Sequence, residues 1–271
     1  MDKIDRLGWV AGFSFKAYGL KIGVRTNKPE ALDRMRELLP PGWKPCDSQV
    51  VDRLYSLLVG GPDPRRNIHR FHILYVNFAR QARSKDLEQV LDAFEANLHI
   101  HVAERARGRV FLHAGVVGWR GKAILIPGRS FSGKTTLVSE LVRAGATYYS
   151  DEYAVLDEQG RVYPFPRPLA IREDGGTQQT RYSIESLGGR AGVRPLPVGL
   201  VVLSRYKQGG RWRPQQLSDG QGALELLNNA VPARSKPADV LGAVRQVVSK
   251  AQVLKGVRGE AAEMVAHLLS Y

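Results

Sequence analysis

Nine residues near the middle of the chain, Gly128-Arg129-Ser130-Phe131-Ser132-Gly133-Lys134-Thr135-Thr136, constrain its fold more than any other stretch. They satisfy every fixed position of G-x-x-x-x-G-K-[ST], a phosphate-cradling loop that has to leave a strand and open a helix. The flanks supply both. Lys122 to Ile126 is a short apolar run rich in branched side chains, and Leu137, Val138, Leu141 and Val142 recur at helical spacing. Glycine at 128 and 133 lets the backbone bend until its N–H groups meet phosphate oxygens, and the opening helix adds the positive end of its dipole. In such a loop Lys134 reaches the β- and γ-phosphates of a nucleotide and the Thr135 hydroxyl ligates Mg²⁺. Residues 128–136 are therefore the expected nucleotide-binding loop.

A chain of 271 residues can bury a large core in one large domain or two smaller ones. There is no apolar run long enough to span a bilayer, and the N-terminal stretch lacks the continuous apolar segment of a signal peptide, so a cytoplasmic protein with no membrane association is expected. One cysteine, Cys46, rules out an intramolecular disulfide. The formal net charge of +14 could serve nucleic acid, a membrane surface or an acidic substrate. Its distribution favours the last. Residues 161–213 carry 10 Lys/Arg against 3 Asp/Glu, whereas residues 1–108 carry 18 against 13. No basic tail, run of five like charges or basic patch interleaved with aromatics is present, so nucleic acid is not the expected partner.

Along the chain, Val10–Tyr18 and Leu20–Arg25 are expected strands. Asn27 looks like the N-cap of a helix, with Pro29 in its first turn, Glu30 as its capping-box partner and Pro40-Pro41-Gly42 as its stop. Two strands, Val51–Val59 and Ile68–Val76, should flank a turn at Gly60–Pro64, and Ser84 should open a long helix carrying Leu87, Val90, Leu91, Phe94 and Leu98. His99 and His101 lie two apart at that helix's end and point in different directions, which suits structural roles better than a metal site. Residues 1–105 thus form an α+β module, and residues 106–271 a second domain.

In the second domain, the Arg109–Val117 strand turns at Gly118–Gly121 into the strand feeding the loop, an antiparallel hairpin. After the helix, Ala146–Tyr149 is a strand that delivers Asp151 and Glu152 to its end, a position like that of the acids of the Walker B motif. A second hairpin turns at Glu158-Gln159-Gly160, and residues 164–194 form a long Gly-rich polar loop of the kind usually tied to function. Val198–Tyr206 and Arg211–Leu217 should be paired strands, followed by helices at Gly222–Asn229 and Pro237–Lys250, a strand near Gln252–Leu254 and a last helix at Glu260–Leu269.

The ordered set of His113 on a strand, the Gly118–Gly121 hairpin, the Gly128–Thr135 loop, Arg143-Ala144-Gly145 at the helix end and the acids Asp151-Glu152 resembles the HPr kinase/phosphorylase family of P-loop kinases, which share a core with phosphoenolpyruvate carboxykinase. The match covers residues 109–163. The second acid is Glu152 where the family carries aspartate, and Leu169-Ala170-Ile171-Arg172-Glu173-Asp174 differs from the family's downstream E-I-R-G-L-G signature, so the acceptor is left open. The resemblance implies an α/β fold with a mixed sheet and an ATP- and Mg²⁺-dependent kinase acting on a hydroxyl, a serine of a protein or peptide. The alternatives are a kinase of a small hydroxyl metabolite and an ATP-binding regulatory or nucleic-acid-binding module; assembly into a homo-oligomer is compatible with each. On that reading Lys134 clamps phosphate, Thr135 and Asp151 hold the metal, and Glu152 or His113 handles the hydroxyl proton. Arg172 and Arg205 are candidates for neutralising charge on the substrate.

Overall fold

A computed structural model describes residues 3–63, 68–128, 132–172 and 179–271. The chain is a mixed α+β protein with two mixed sheets and, among the described residues, six α-helices. It divides into two compact units, Met1–Arg107 and Gly108–Tyr271. Among the described residues no helix is long and apolar enough to cross a membrane.

In the first unit, β1 (Ala11–Ala17) and β2 (Leu20–Thr26) form a hairpin whose two-residue turn, Tyr18-Gly19, takes positive φ at both positions. That is the conformation that matches the twist of paired strands. Next come α1 (Ala31–Glu37), β3 (Lys44–Cys46), β4 (Arg53–Leu58), the short β5 (Gly61–Asp63) and β6 (Ile68–Arg70), then β7 (His72–Val76), β8 (Ala79–Ser84) and α2 (Leu87–Arg105). The six-stranded sheet runs β3-β1-β2-β4-β7-β8, with β2 and β4 parallel. From α2, Val90, Leu91, Phe94, Leu98 and Val102 are buried, and the Phe94 ring meets Tyr55 of β4 edge to face at 5.2 Å. His99 and His101 are buried on the same helix, and Nε2 of His99 contacts the Leu38 carbonyl at 3.1 Å.

Several local expectations give way to longer-range pairing here. Asn27 is not a helix cap: its amide exchanges two hydrogen bonds with the Val59 main chain, at 2.7 and 3.1 Å, and α1 begins at Ala31 without a side-chain cap. Within the turn expected at Gly60–Pro64, Gly61–Asp63 form β5, which pairs with β6; Pro64 lies outside the described residues. Ser84 closes β8, a strand the sequence reading lacks, and Asp86 caps α2 by accepting from the Glu88 N–H at 2.9 Å.

The second unit begins with β9 (Val110–Trp119) and β10 (Lys122–Pro127), joined by a turn at Arg120-Gly121 with φ of +47° and +78°. There follow α3 (Lys134–Arg143), β11 (Thr147–Ser150), β12 (Tyr153–Leu156), β13 (Arg161–Tyr163), β14 (Leu169–Arg172), β15 (Gln179–Tyr182), β16 (Leu196–Tyr206), β17 (Gln215–Gln216), α4 (Asp219–Leu227), α5 (Pro237–Val248), β18 (Gln252–Arg258) and α6 (Ala261–Leu269). The long β9 pairs along one edge with β10 and along the other with β12 and β11 in turn. β10 also pairs in parallel with β16, which reaches β13, so the pairings close a ring through β10, β9, β12, β13 and β16. β18 extends the sheet in parallel beside β16. The return strand expected at Arg211–Leu217 shrinks to β17, which pairs with β18 and not with β16. The long loop after Pro164 contains the β14–β15 hairpin.

β10 is apolar on both faces because both are covered. Ala123 and Leu125 join Val240, Val244 and Val247 of α5 on one side, while Ile124 and Ile126 join Leu137, Val138 and Leu141 of α3 and Met264 of α6 on the other. The approach of α3 to the sheet depends on Gly115 of β9, where an added Cβ would stand 2.6 Å from Val138 Cγ2. Overpacking of this kind costs about 1–3 kcal/mol. Gly115→Ala is therefore expected to move the urea unfolding of this unit to lower denaturant at unchanged slope; an unchanged or higher midpoint would show that α3 can shift freely.

Candidate functional site

The phosphate-loop sequence leaves β10 at Pro127, which lies opposite Ala114 of β9. The Gly128 N–H donates to the His113 carbonyl at 3.2 Å, so the loop starts beside that histidine. Gly128 and Ser132 lie close together: an added Cβ at Gly128 would sit 2.7 Å from Ser132 Oγ. That hydroxyl is buried and finds no partner among the described residues. Arg129, Ser130 and Phe131 lie outside the described residues. Gly133, at φ +79°, precedes α3, whose opening turn has no side-chain cap. The first N–H groups of a helix have no intrahelical acceptor, so an uncapped start suits an anion.

Opposite the loop stands the turn between β11 and β12. The buried Ser150 hydroxyl accepts from the N–H groups of both Glu152, at 3.2 Å, and Tyr153, at 3.0 Å, which bends the chain so that Asp151 and Glu152 leave the sheet together. The Glu152 carbonyl accepts from the Ala114 N–H at 3.1 Å and fixes the turn to β9. Thr135 Oγ1 donates to Asp151 Oδ2 at 2.9 Å. The Tyr148 hydroxyl lies 2.9 Å from Asp151 Oδ1 and 3.0 Å from the Arg167 carbonyl oxygen, with one proton to give. Arg167 itself forms an ion pair with Glu152. His113 packs its ring against Tyr153, its cross-strand partner, at 5.1 Å, and Tyr153 packs on Phe111 and Phe165.

The electrostatics join these side chains into one neighbourhood. Burial, and then the Lys134 charge, lower the His113 pKa, so the imidazole is neutral at neutral pH. Burial also lowers the Lys134 pKa, against the opposing pull of Asp151 and Glu152. The Asp151 carboxyl is pushed up by burial, against hydrogen bonds from Thr135 and Tyr148 and the Arg167 charge. His113, Lys134 and Asp151 are each displaced toward the uncharged form, a pattern frequent at functional sites. Among the described residues no group of three or more His, Cys, Asp or Glu is gathered to hold a metal ion. The Thr135–Asp151 pair offers a hydroxyl and a carboxylate, hard oxygen donors of the kind Mg²⁺ takes together with water and substrate phosphates.

His113, Gly128, Ser132, Gly133, Lys134, Thr135, Asp151 and Glu152 thus meet at one end of the sheet, with Thr136 exposed on the outer side of the first helical turn. Arg172 ends β14, and its side chain lies outside the described residues; Arg205 stands exposed on β16 and makes no polar contact with the site among the described residues. Four contributors escape the sequence reading. Ser150 and Tyr148 sit beside the acids without a motif of their own. Arg167 belongs to the basic stretch after Tyr163 but has no distinguishing neighbour. Arg258 comes from β18 and donates through Nη2 to the Gly133 carbonyl at 3.2 Å across 125 residues. No model of a known protein family matches the chain, and no curated protein matches it.

The unfolded chain takes up a proton on an ordinary histidine near pH 6.5, whereas folded His113 resists it, so this group lowers stability as pH falls below about 6.5. In NMR titration the His113 ring is expected to titrate below about pH 6.5, and Lys134→Met to move its midpoint upward by removing a like charge. An ordinary midpoint, or one indifferent to Lys134→Met, would contradict the arrangement.

Proposed function

We propose that the Gly108–Tyr271 unit is an ATP- and Mg²⁺-dependent phosphotransferase with a core of the HPr kinase and phosphoenolpyruvate carboxykinase type, moving the γ-phosphoryl group of ATP to a hydroxyl, a serine side chain of a protein or peptide. The observation that carries this reading is the 2.9 Å hydrogen bond from Thr135, the residue after Lys134, to Asp151, close to His113 and Glu152.

The glycines of the loop keep side chains away from the space beside Ser132 and the start of α3, where the uncapped helix turn and Lys134 would face a bound anion. A phosphate beside Lys134 raises its proton affinity again, so binding and full charge on the ammonium support each other. Thr135 and Asp151 would hold Mg²⁺, which when bound neutralises charge on the β- and γ-phosphates. The neutral His113 ring can donate one N–H to a phosphoryl oxygen. Glu152, oriented by its ion pair with Arg167, accepts the proton of the acceptor hydroxyl as that oxygen attacks.

ATP with Mg²⁺ should raise the melting temperature of the wild type, and Lys134→Ala should remove that rise. Glu152→Gln should keep the rise but lower ATP-dependent turnover on the order of 10²–10⁴-fold, with a smaller loss for His113→Ala. Equal thermal shifts in wild type and Lys134→Ala would place the nucleotide elsewhere. Normal turnover in Glu152→Gln would remove that residue from the role of base.

A further inference from the structure

β10, β16 and β18 run parallel, so their C-terminal ends share one side of the sheet, and Arg258 is the last residue of β18. The residue is only 3% exposed. Nη2 donates to the Gly133 carbonyl at 3.2 Å, Nη1 to the Gly259 carbonyl at 3.0 Å, and the guanidinium carbon stands 5.4 Å from the centre of the Tyr206 ring. Nε finds no acceptor among the described residues. Gly133 makes room for this head group, since an added Cβ there would lie 2.4 Å from Nη2.

Arginine is rarely buried to this extent without a paired carboxylate, because a guanidinium taken out of water needs a counter-charge. Among the described residues none stands within ion-pair distance of Arg258. Glu260, whose charge reaches it, accepts a hydrogen bond from the Tyr206 hydroxyl at 2.8 Å. The cation is thus held by two carbonyl dipoles and an aromatic face, at the residue that precedes Lys134 and the uncapped turn of α3. An anion at that turn would supply the missing counter-charge.

We propose that Arg258 is a binding residue for a polyphosphate held at Gly133–Thr135, the start of α3: it pins the Gly133 carbonyl and, with Lys134, supplies the positive charge that a phosphoryl group requires in a buried site. The identity of the anion as a nucleotide rests on the phosphotransferase reading, whereas the polyphosphate site itself does not depend on the transfer step.

Calorimetric titration with ATP·Mg²⁺ and, separately, with inorganic tripolyphosphate tests this on the wild type, Arg258→Met and Arg258→Lys. The ligand-free Arg258→Met protein is expected to melt no lower than wild type, since an uncompensated buried charge has gone. Its affinity for both probes should fall at least tenfold, and Arg258→Lys, which restores the charge but not the planar fork, should recover part of that loss. Affinity within twofold of wild type in Arg258→Met overturns the proposal, as does a loss that lysine does not recover at all, which would make Arg258 a purely structural strut. If Arg258→Met does not fold, Arg258→Gln, with a polar head for the two carbonyls, gives the same comparison. Arg258-dependent binding of tripolyphosphate without any binding of ATP would keep the proposal and overturn the kinase reading. ATP binding indifferent to Arg258 would do the reverse, and a wild type that binds neither probe overturns both.

Discussion

A single peptide unit, the one joining His113 to Ala114, holds the two halves of the site at a common level. Its carbonyl accepts from Gly128, the first residue of the phosphate-loop sequence, and its N–H donates to the carbonyl of Glu152, in the acidic turn. This is possible because β9 is long enough to pair with β10 along one edge and with β12 and β11 successively along the other. The break between those two short strands is where Asp151 and Glu152 emerge. Side chains alternate across a strand, so slipping β9 by one residue would turn His113 to the opposite face and separate the loop from the acids. Packing protects that register, since Leu112, Ala114 and Val116 are fully buried against the α5 side of the sheet.

Around this peptide the protein accumulates ionisable groups that burial drives toward neutrality: His113 and Lys134 downward, Asp151 and the Tyr148 hydroxyl upward. Such a cluster costs stability, and local structure that works against stability is found chiefly where chemistry or ligand binding requires it. The Thr135–Asp151 and Tyr148–Asp151 hydrogen bonds and the Arg167–Glu152 ion pair partly offset that cost. A polyphosphate would offset it further on the cationic side, around Lys134 and Arg258. The scaffold beneath is correspondingly rigid, with β10 covered on both faces and α3 seated against Gly115.

What the sequence made legible was whatever depends on short spacing. The loop between an apolar strand and an amphipathic helix, the two-residue hairpin before it and the paired acids at a strand end are all local patterns, and they converge in space. Contributors set by long-range pairing left no such trace. Asn27 has the sequence features of a helix cap yet bonds to Val59, because main-chain groups just past β4, 32 residues away, satisfy both ends of its amide. The basic composition of residues 161–213 could not say that Arg167 would be turned onto Glu152 by a segment whose Phe165 N–H bonds to the Tyr149 carbonyl at 2.9 Å. Arg258 meets Gly133 only because three parallel strands end together, a property of topology and not of any window of sequence.

The central claim is that the groups gathered around the His113–Ala114 peptide pass the γ-phosphoryl group of ATP to a hydroxyl. Incubating the purified protein and its Lys134→Ala variant with γ-labelled ATP, Mg²⁺ and a library of serine-containing peptides measures this directly. The account predicts label in an acid-stable phosphoester on peptide with the wild type and none with Lys134→Ala. Label released only as inorganic phosphate, or label on peptide that persists in Lys134→Ala, would contradict it.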